Sequence, residues 1–311
     1  MIEADGLTKR YGEKIVINDL SFTAQSGTVT GFLGPNGAGK STTMRMIAGL
    51  DAPTAGRVRV NGRQYRHARA PMAELGILLD AKAVHSGRSA RNHLLALGQT
   101  NGIHRRRVDE VIEMVGLAGA ARRRVGGFSL GMGQRLGVGA ALLGDPQVVV
   151  LDEPVNGLDP EGVLWIRNLL KSLAEGGRTV FVSSHLMSEM TLTATRLVVI
   201  GRGRLIADTT VEGFVAMAQS NTVVVRSPEA TDLHSALLRP EVTVSSSNRG
   251  ELEVVGLSAE EIGDIAWKHH IRLHELSTRA TSLEDAFMTL THDAVEYRTS
   301  PRDTAEPAEE R

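Results

Sequence analysis

The sequence predicts an α/β fold: a core on a parallel sheet, a helical subdomain inserted into it, and a small C-terminal α+β domain. Three observations carry this. Continuous apolar runs at Val29–Leu33, Val148–Leu151 and 179–182 read as buried strands. The stretch from about 85 to 145 has helical texture and little strand signal, so it reads as an insertion between two core strands. After about residue 220 the pattern changes to short strands and helices separated by their own turns.

Each element follows in order. The run Val29–Leu33 feeds a glycine-rich turn, Gly34 to Gly39, and then a helical pattern over 41–50. A second helix lies between the strands at 148 and 179. Asp159 caps it, Pro160 suits its first turn, and Gly176-Gly177 ends it. Ile166, Leu169, Leu170 and Leu173 give that helix one apolar stripe. Strand, helix and strand at this spacing imply a right-handed crossover and a parallel sheet. In the C-terminal part, 222–225, 241–245, 251–255 and 271–276 read as strands. Residues 233–238, 258–270 and 282–290 read as helices, the second opened by a capping box, Ser258 with Glu261. The expected division is a domain over 1–215, a βαββαβ domain over 220–292 and a disordered tail over 293–311, rich in Arg, Glu, Asp, Pro and Ala.

Composition narrows the function classes. The chain has 311 residues, enough for about two domains at roughly 150 residues each. A net charge of −1 gives no global field toward nucleic acid, and the absence of cysteine excludes disulfides and thiol catalysis. No apolar run approaches the roughly 18 residues of a membrane span. The opening residues carry Glu3 and Asp5 and lack a signal-peptide pattern. Two arginine runs, Arg105 to Arg107 and Arg122 to Arg124, read as solvated helical faces rather than a nucleic-acid or lipid surface.

Gly34-Pro35-Asn36-Gly37-Ala38-Gly39-Lys40-Ser41 matches G-x-x-x-x-G-K-[ST] in full, between a strand and a helix. Glycines there let backbone N–H groups wrap phosphate oxygens at a helix N-terminus. Lys40 would reach the β- and γ-phosphates and Ser41 would hold Mg²⁺. Asp152 and Glu153 follow the strand Val148–Leu151, where parallel sheets place their ligands. One carboxylate can hold the metal shell and the other polarise a water; alone, the pair could equally cap the strand. His185, after a strand, reads on position alone as a structural or surface residue.

Between these motifs stands Phe128-Ser129-Leu130-Gly131-Met132-Gly133-Gln134-Arg135, followed by an apolar helix and Val148 to Pro154. This segment resembles the signature motif of ATP-binding cassette (ABC) ATPases, and the order of motifs over residues 1 to about 215 is that of one such P-loop NTPase domain. The usual core is L-S-G-G-Q or S-G-G-M-x-Q-R. Leu130 replaces a glycine, and Gly133 stands where a basic residue is common. The resemblance implies a head-to-tail dimer with ATP between the phosphate loop, Thr42 included, of one copy and Ser129, Gly131 and Gln134 of the other. It implies Glu153 as general base, His185 as a switch at the γ-phosphate, Tyr11 stacked on adenine, and Asn156 to Asp159 as a loop communicating across the dimer. Where the family carries a glutamine, Asp80 stands here, able to contact Mg²⁺ or a water. Residues 82–92 would meet a separate transmembrane permease.

The implied function is the ATP-hydrolysing subunit of a transporter, cytoplasmic and peripheral on the membrane through its permease. The C-terminal part resembles single-cassette drug and antibiotic exporters. The alternative is a non-transport ABC ATPase acting on ribosome or nucleic acid. Against it stand one phosphate loop and no sustained heptads, and no nucleic-acid partner is expected.

Overall fold

Three phenylalanines lie together in one hydrophobic core. Phe22 stacks on Phe32 and on Phe181, with ring centroids 5.7 and 5.4 Å apart, and Phe32 meets Phe181 at 5.0 Å. Such pairs add about 0.5–1.5 kcal/mol each beyond the burial of their surface. They join two different sheets. The structure, a computed structural model, describes residues 1–81, 83–184, 187–217, 222–248, 250–278 and 282–291. Lys82, His185 and the expected disordered tail over 293–311 lie outside the described residues.

The chain runs β1 (Ile2–Tyr11), β2 (Lys14–Ala24), β3 (Val29–Leu33), α1 (Lys40–Ile47), β4 (Ala55–Val60), α2 (Pro71–Glu74) and β5 (Leu75–Leu78). It continues through α3 (Ala90–Thr100), α4 (Arg105–Met114), α5 (Leu130–Leu142), β6 (Val148–Leu151), α6 (Pro160–Glu175), β7 (Thr179–Ser184), α7 (Met187–Thr193), β8 (Arg196–Gly201) and β9 (Arg204–Thr210). A six-stranded sheet has the order β5-β6-β7-β3-β8-β9, with parallel pairing from β5 through β8. Strands β3, β6 and β7 are buried along their whole length. That explains their continuous apolar runs, since a parallel strand covered on both faces has no polar side.

A second, antiparallel sheet, β2-β1-β4, was not expected. Its signal is alternation: Leu20, Phe22 and Ala24 are buried between exposed Ser21 and Thr23. Register shifts along β1 blur the same period there. Met44, Met46 and Ile47 of α1 share one core with both sheets. The helix ends earlier than the pattern over 41–50 suggested. The Gly49 N–H donates to Met46 O and the Leu50 N–H to Arg45 O, a Schellman stop, with Gly49 at a φ of 68°.

Helices α3, α4 and α5 form the insertion between β5 and β6, as the sequence texture required. Arg106 pairs with Glu110 at 3.0 Å and Arg107 with Asp145 at 3.2 Å, while Arg122, Arg123 and Arg124 are exposed. Arg105 to Arg107 thus open α4 on a solvated, ion-paired face, whereas Arg122 to Arg124 are solvated but lie in a turn and an isolated bridge to Ser89, not on the expected helix.

The chain divides into two compact units, Met1–Thr209 and Thr210–Leu290. The second holds α8 (Val211–Met217), β10 (Thr222–Arg226), α9 (Ala230–Leu237), β11 (Thr243–Asn248), β12 (Glu251–Val255), α10 (Ala259–Lys268), β13 (Glu275–Thr278) and α11 (Leu283–Thr291). Its antiparallel sheet runs β11-β12-β10-β13, and the βαββαβ order is the split arrangement of that motif. Val223, Val225, Leu252 and Val254 pack against Leu233, Leu237, Ile262 and Ile265. The last strand begins at Glu275, not Ile271. Ile271 and Leu273 are spent instead on packing against that core.

Among the described residues no helix is long and apolar enough to cross a membrane.

Candidate functional site

The turn after β3 is shaped by what surrounds it. Gly34 lies against β8, where a Cβ would come within 2.6 Å of Ile200 O. Gly39 caps α1 in the left-handed region at a φ of 104°, and a Cβ there would collide with Ile17 of β2. Only glycine fits on both counts. The Ala38 carbonyl accepts from the Gly203 N–H at 3.1 Å, so the turn between β8 and β9 braces the loop from below. Ala38 itself is buried.

Helix α1 then starts with no acidic residue in its first turn, and its leading N–H groups face an open cleft. Lys40 is buried. Its ammonium donates to Gly34 O at 2.6 Å and to Pro35 O at 3.4 Å. Burial pushes its pKa down, and the Glu153 and Asp152 carboxylates pull against that shift. The Ser41 hydroxyl donates to Asp152 Oδ2 at 2.8 Å, across a sequence gap of more than a hundred residues. This contact exists because β6, β7 and β3 are neighbours in the sheet, so the end of β6 faces the start of α1.

Glu153 follows at a φ of 49°, unusual for a side chain with a Cβ. Its N–H donates to the Ser183 hydroxyl at 2.9 Å, and Ser183 in turn donates to Asp152 Oδ1. Ser183 is fully buried. Sequence reasoning missed it, because β7 was expected to end at Val182 and serine carries no charge or motif.

The resulting cleft, about 660 Å³, is lined by Tyr11, Lys14, Val16, Pro35, Asn36, Gly37, Gly39, Lys40, Ser41, Thr42, Asp152 and Glu153. Seven of the nine expected residues from Gly34 to Thr42 meet there with both acids and the aromatic, Gly34 and Ala38 excepted. Lys14 and Val16, on the missed strand β2, were not foreseen. Tyr11 is 47% exposed. Its hydroxyl donates to Asp51 Oδ2 at 3.1 Å. Asp51 also accepts from Arg45 Nε at 2.8 Å, and that guanidinium holds the Asp51 carboxyl below the usual range.

Among the described residues, six expected site residues are not part of that lining; Gly34 and Ala38 are buried within the loop itself, and the other four lie elsewhere. Asp80 is exposed, two residues beyond β5, where the chain has already left the sheet. Gln134 is buried on α5 and donates its amide to Glu153 O of the same chain at 3.2 Å, so its side chain is directed inward and not toward a nucleotide held by another copy. Ser129 caps α5, accepting from the Met132 N–H at 3.2 Å. Gly131 packs on the Asn156 to Asp159 loop, where a Cβ would lie 2.9 Å from Gly157 O. The start of α5 is therefore a second helix N-terminus, outside the cleft.

With this geometry in hand, likeness to known proteins is informative. Residues 17–156 match the family described as ABC transporter, and residues 221–284 match a domain of unknown function, DUF8746. The chain is 35% identical over 300 residues to an uncharacterized ABC transporter ATP-binding protein, YhcH, of Bacillus subtilis (strain 168), covering 95% of this chain and 97% of that one. It is 39% identical over 211 residues to the bacitracin transport ATP-binding protein BcrA of Bacillus licheniformis, 67% of this chain and 69% of that one. It is 34% identical over 303 residues to the daunorubicin resistance ATP-binding protein DrrA3 of Streptomyces coeruleorubidus, 94% and 96% of the two chains. A solved ATP-binding subunit of an ABC transporter superposes with a TM-score of 0.65 at 23% identity, over 70% of this chain and 92% of that one. A dimeric bacterial ABC transporter cassette does so with 0.61 at 24%, over 68% and 98%. These two show the shared fold.

Proposed function

The chain belongs to the ATP-binding proteins of ABC transporters and is an ATPase of that family; from this we propose that it drives a separate membrane permease that exports small toxic molecules. The observation that carries the chemistry is the cleft in which Ser41 and Asp152 are joined at 2.8 Å, with Glu153 beside them. A hydroxyl and a carboxylate are hard oxygen donors, so this pair suits Mg²⁺. Ser41 and Asp152 would hold that ion, whose charge offsets the charge developing on the phosphates.

The chain's own groups do the rest. The N–H groups leading α1 and the loop from Pro35 to Gly39 cradle phosphate oxygens. Lys40, now held by two carbonyls, exchanges those acceptors for phosphate. The adenine stacks on Tyr11. Glu153 takes the proton of the attacking water as general base. His185, the expected switch at the γ-phosphate, belongs to the same proposal by its place after β7.

Ser129 and Gly131 meet the nucleotide of a second copy, turned head to tail. The exposed start of α5 favours this, because its free N–H groups lie outside the chain's own cleft. The permease seats the chain on the cytoplasmic face of the membrane. Export is supported by the names of two relatives, one of bacitracin transport and one of daunorubicin resistance.

Glu153→Gln tests the core of this reading. Phosphate release is expected to fall by about 10³-fold, within the range for removing a general base, while ATP still binds and the paired copies persist on gel filtration. A variant that hydrolyses ATP at the wild-type rate overturns the assignment of Glu153. Co-purification of the tagged chain with a multi-span membrane protein tests the partner; recovery of ribosomes or nucleic acid alone overturns it.

A further inference from the structure

Glu153 poses a problem that its motif does not answer. A general base must direct its carboxylate at one water, yet Glu153 begins the turn after β6 in the left-handed region, at a φ of 49°. L-residues leave that region readily unless neighbours hold them. Two side chains do. From β7, the buried hydroxyl of Ser183 accepts the Glu153 N–H at 2.9 Å. From α5, the buried amide of Gln134 donates to the Glu153 carbonyl at 3.2 Å. Both backbone polar groups of one residue are thus bound by side chains, one from a sheet strand and one from a helix of the insertion.

We propose that Ser183 and Gln134 are positioning residues for Glu153, fixing the left-handed backbone from which its carboxylate enters the cleft. This rests on the reading of Glu153 as the base. Ser183 has a further bond, to Asp152 Oδ1, so one hydroxyl ties the metal-holding acid to the base-bearing backbone. A hydroxyl has one proton to give and lone pairs to accept with, and here both capacities are used. Gln134 lies a little over one turn along α5 from Ser129, at the helix start proposed to face the second copy. Through Gln134 the seating of α5 is felt at the base of its own chain. A shift of α5 that lengthens the amide–carbonyl contact leaves the Glu153 carbonyl to the Asn156 N–H of its own turn, at 3.2 Å. Ser183, in the core of the sheet, is the fixed side.

The test uses the full chain, with kcat and KM for ATP measured separately under saturating Mg²⁺. Ser183→Ala and Gln134→Met each remove a hydrogen bond while keeping most of the volume. Each is expected to lower kcat by about tenfold, the scale of a slightly misplaced catalytic group, with KM for ATP little changed. Ser183→Thr restores the hydroxyl and is expected to recover most of kcat, which a loss of packing alone would not do. The double variant should lose less than the product of the two single losses, because both act on one residue. In a Glu153→Gln background the Gln134→Met change should leave the residual rate as it is, there being no base to position.

Three results overturn the proposal: wild-type kcat in Ser183→Ala and Gln134→Met, a Ser183→Thr variant as slow as Ser183→Ala, or a Gln134→Met loss that persists in full on Glu153→Gln. If Ser183→Ala fails to fold, Ser183→Thr and Gln134→Met still decide. Failure of the functional reading looks different, since Glu153→Gln itself would then keep its activity.

Discussion

Two helix starts in this molecule look alike in sequence and differ in what surrounds them. Helix α1 follows Gly39 and α5 follows Ser129, and each presents leading N–H groups suited to an anion. At α1 those groups face a cleft that also holds Lys40, Asp152 and Glu153. At α5 the adjacent hollow, about 330 Å³, is lined among the described residues by Ala81, Val84, Ser86, Val125, Gly126, Phe128, Ser129, Leu130 and Gly133, without a charged side chain. The first start gathers within one chain the parts proposed to hold phosphate and its metal. Among the described residues the second has donors but no counter-charge and no acid to hold a metal, which is half a site. Under the proposed dimer, a second copy brings the other half.

Substitutions can break this contrast. Lys40→Met removes the cation from the α1 site, and ATP affinity is expected to fall by about 10²-fold, on the scale of removing one partner of a desolvated charge pair. Equilibrium binding of a fluorescent ATP analogue measures this, and unchanged affinity would mean that the α1 site does not use its lysine. Ser129→Asp probes the half-site. Aspartate caps a helix as well as serine does, so α5 should keep its structure, but a carboxylate now stands where phosphate is expected. Turnover is expected to fall about tenfold, a loss of roughly 1.4 kcal/mol, with ATP affinity of the single chain untouched. Full turnover in that variant would mean that the start of α5 meets no nucleotide.

A third helix start serves as the control. Helix α10 opens on Ser258, whose hydroxyl accepts from the Glu261 N–H at 3.2 Å while the Glu261 carboxylate accepts from the Ser258 N–H at 2.8 Å. Its donors are satisfied within the chain, so Ser258→Ala should cost about 1 kcal/mol of stability in the second unit and leave nucleotide affinity alone. Denaturant melting with and without ATP separates the two effects.

Much of the fold was legible. The buried strands β3, β6 and β7 declare themselves as apolar runs, and the caps of α6 and α10 stand where Asp159 and Ser258 announce them. The sheet β2-β1-β4 was not read. Its alternation is clear over Leu20 to Ala24 but is broken along β1 by register shifts, by half-buried Lys9 and by exposed Asp5 and Arg10. Strand β8 carries the same kind of signal as β6, with Leu197 to Ile200 all buried, but no motif adjoins it. In the site, loop, acids and Tyr11 were legible by motif or resemblance. Lys14, Val16 and Ser183 were not, since none differs in type from residues that do nothing.

What the sequence determined by itself is the part whose chemistry is local. The loop from Gly34 to Ser41 needs its glycines, lysine and hydroxyl at consecutive positions, and a helix start makes the anion site from neighbouring N–H groups. Tertiary structure decided everything that joins distant positions: Ser41 to Asp152, Ser183 to Glu153, Gln134 to the Glu153 carbonyl, Tyr11 to Asp51. These pairs meet because β6, β7 and β3 are adjacent in the sheet, α5 packs against β5 and β6, and β1 turns back beside the end of α1. A pattern of apolar residues tells a strand that it will be buried. It does not tell the strand which neighbour it will have, and in this molecule the neighbours bring Asp152, Glu153, Ser183 and Gln134 together.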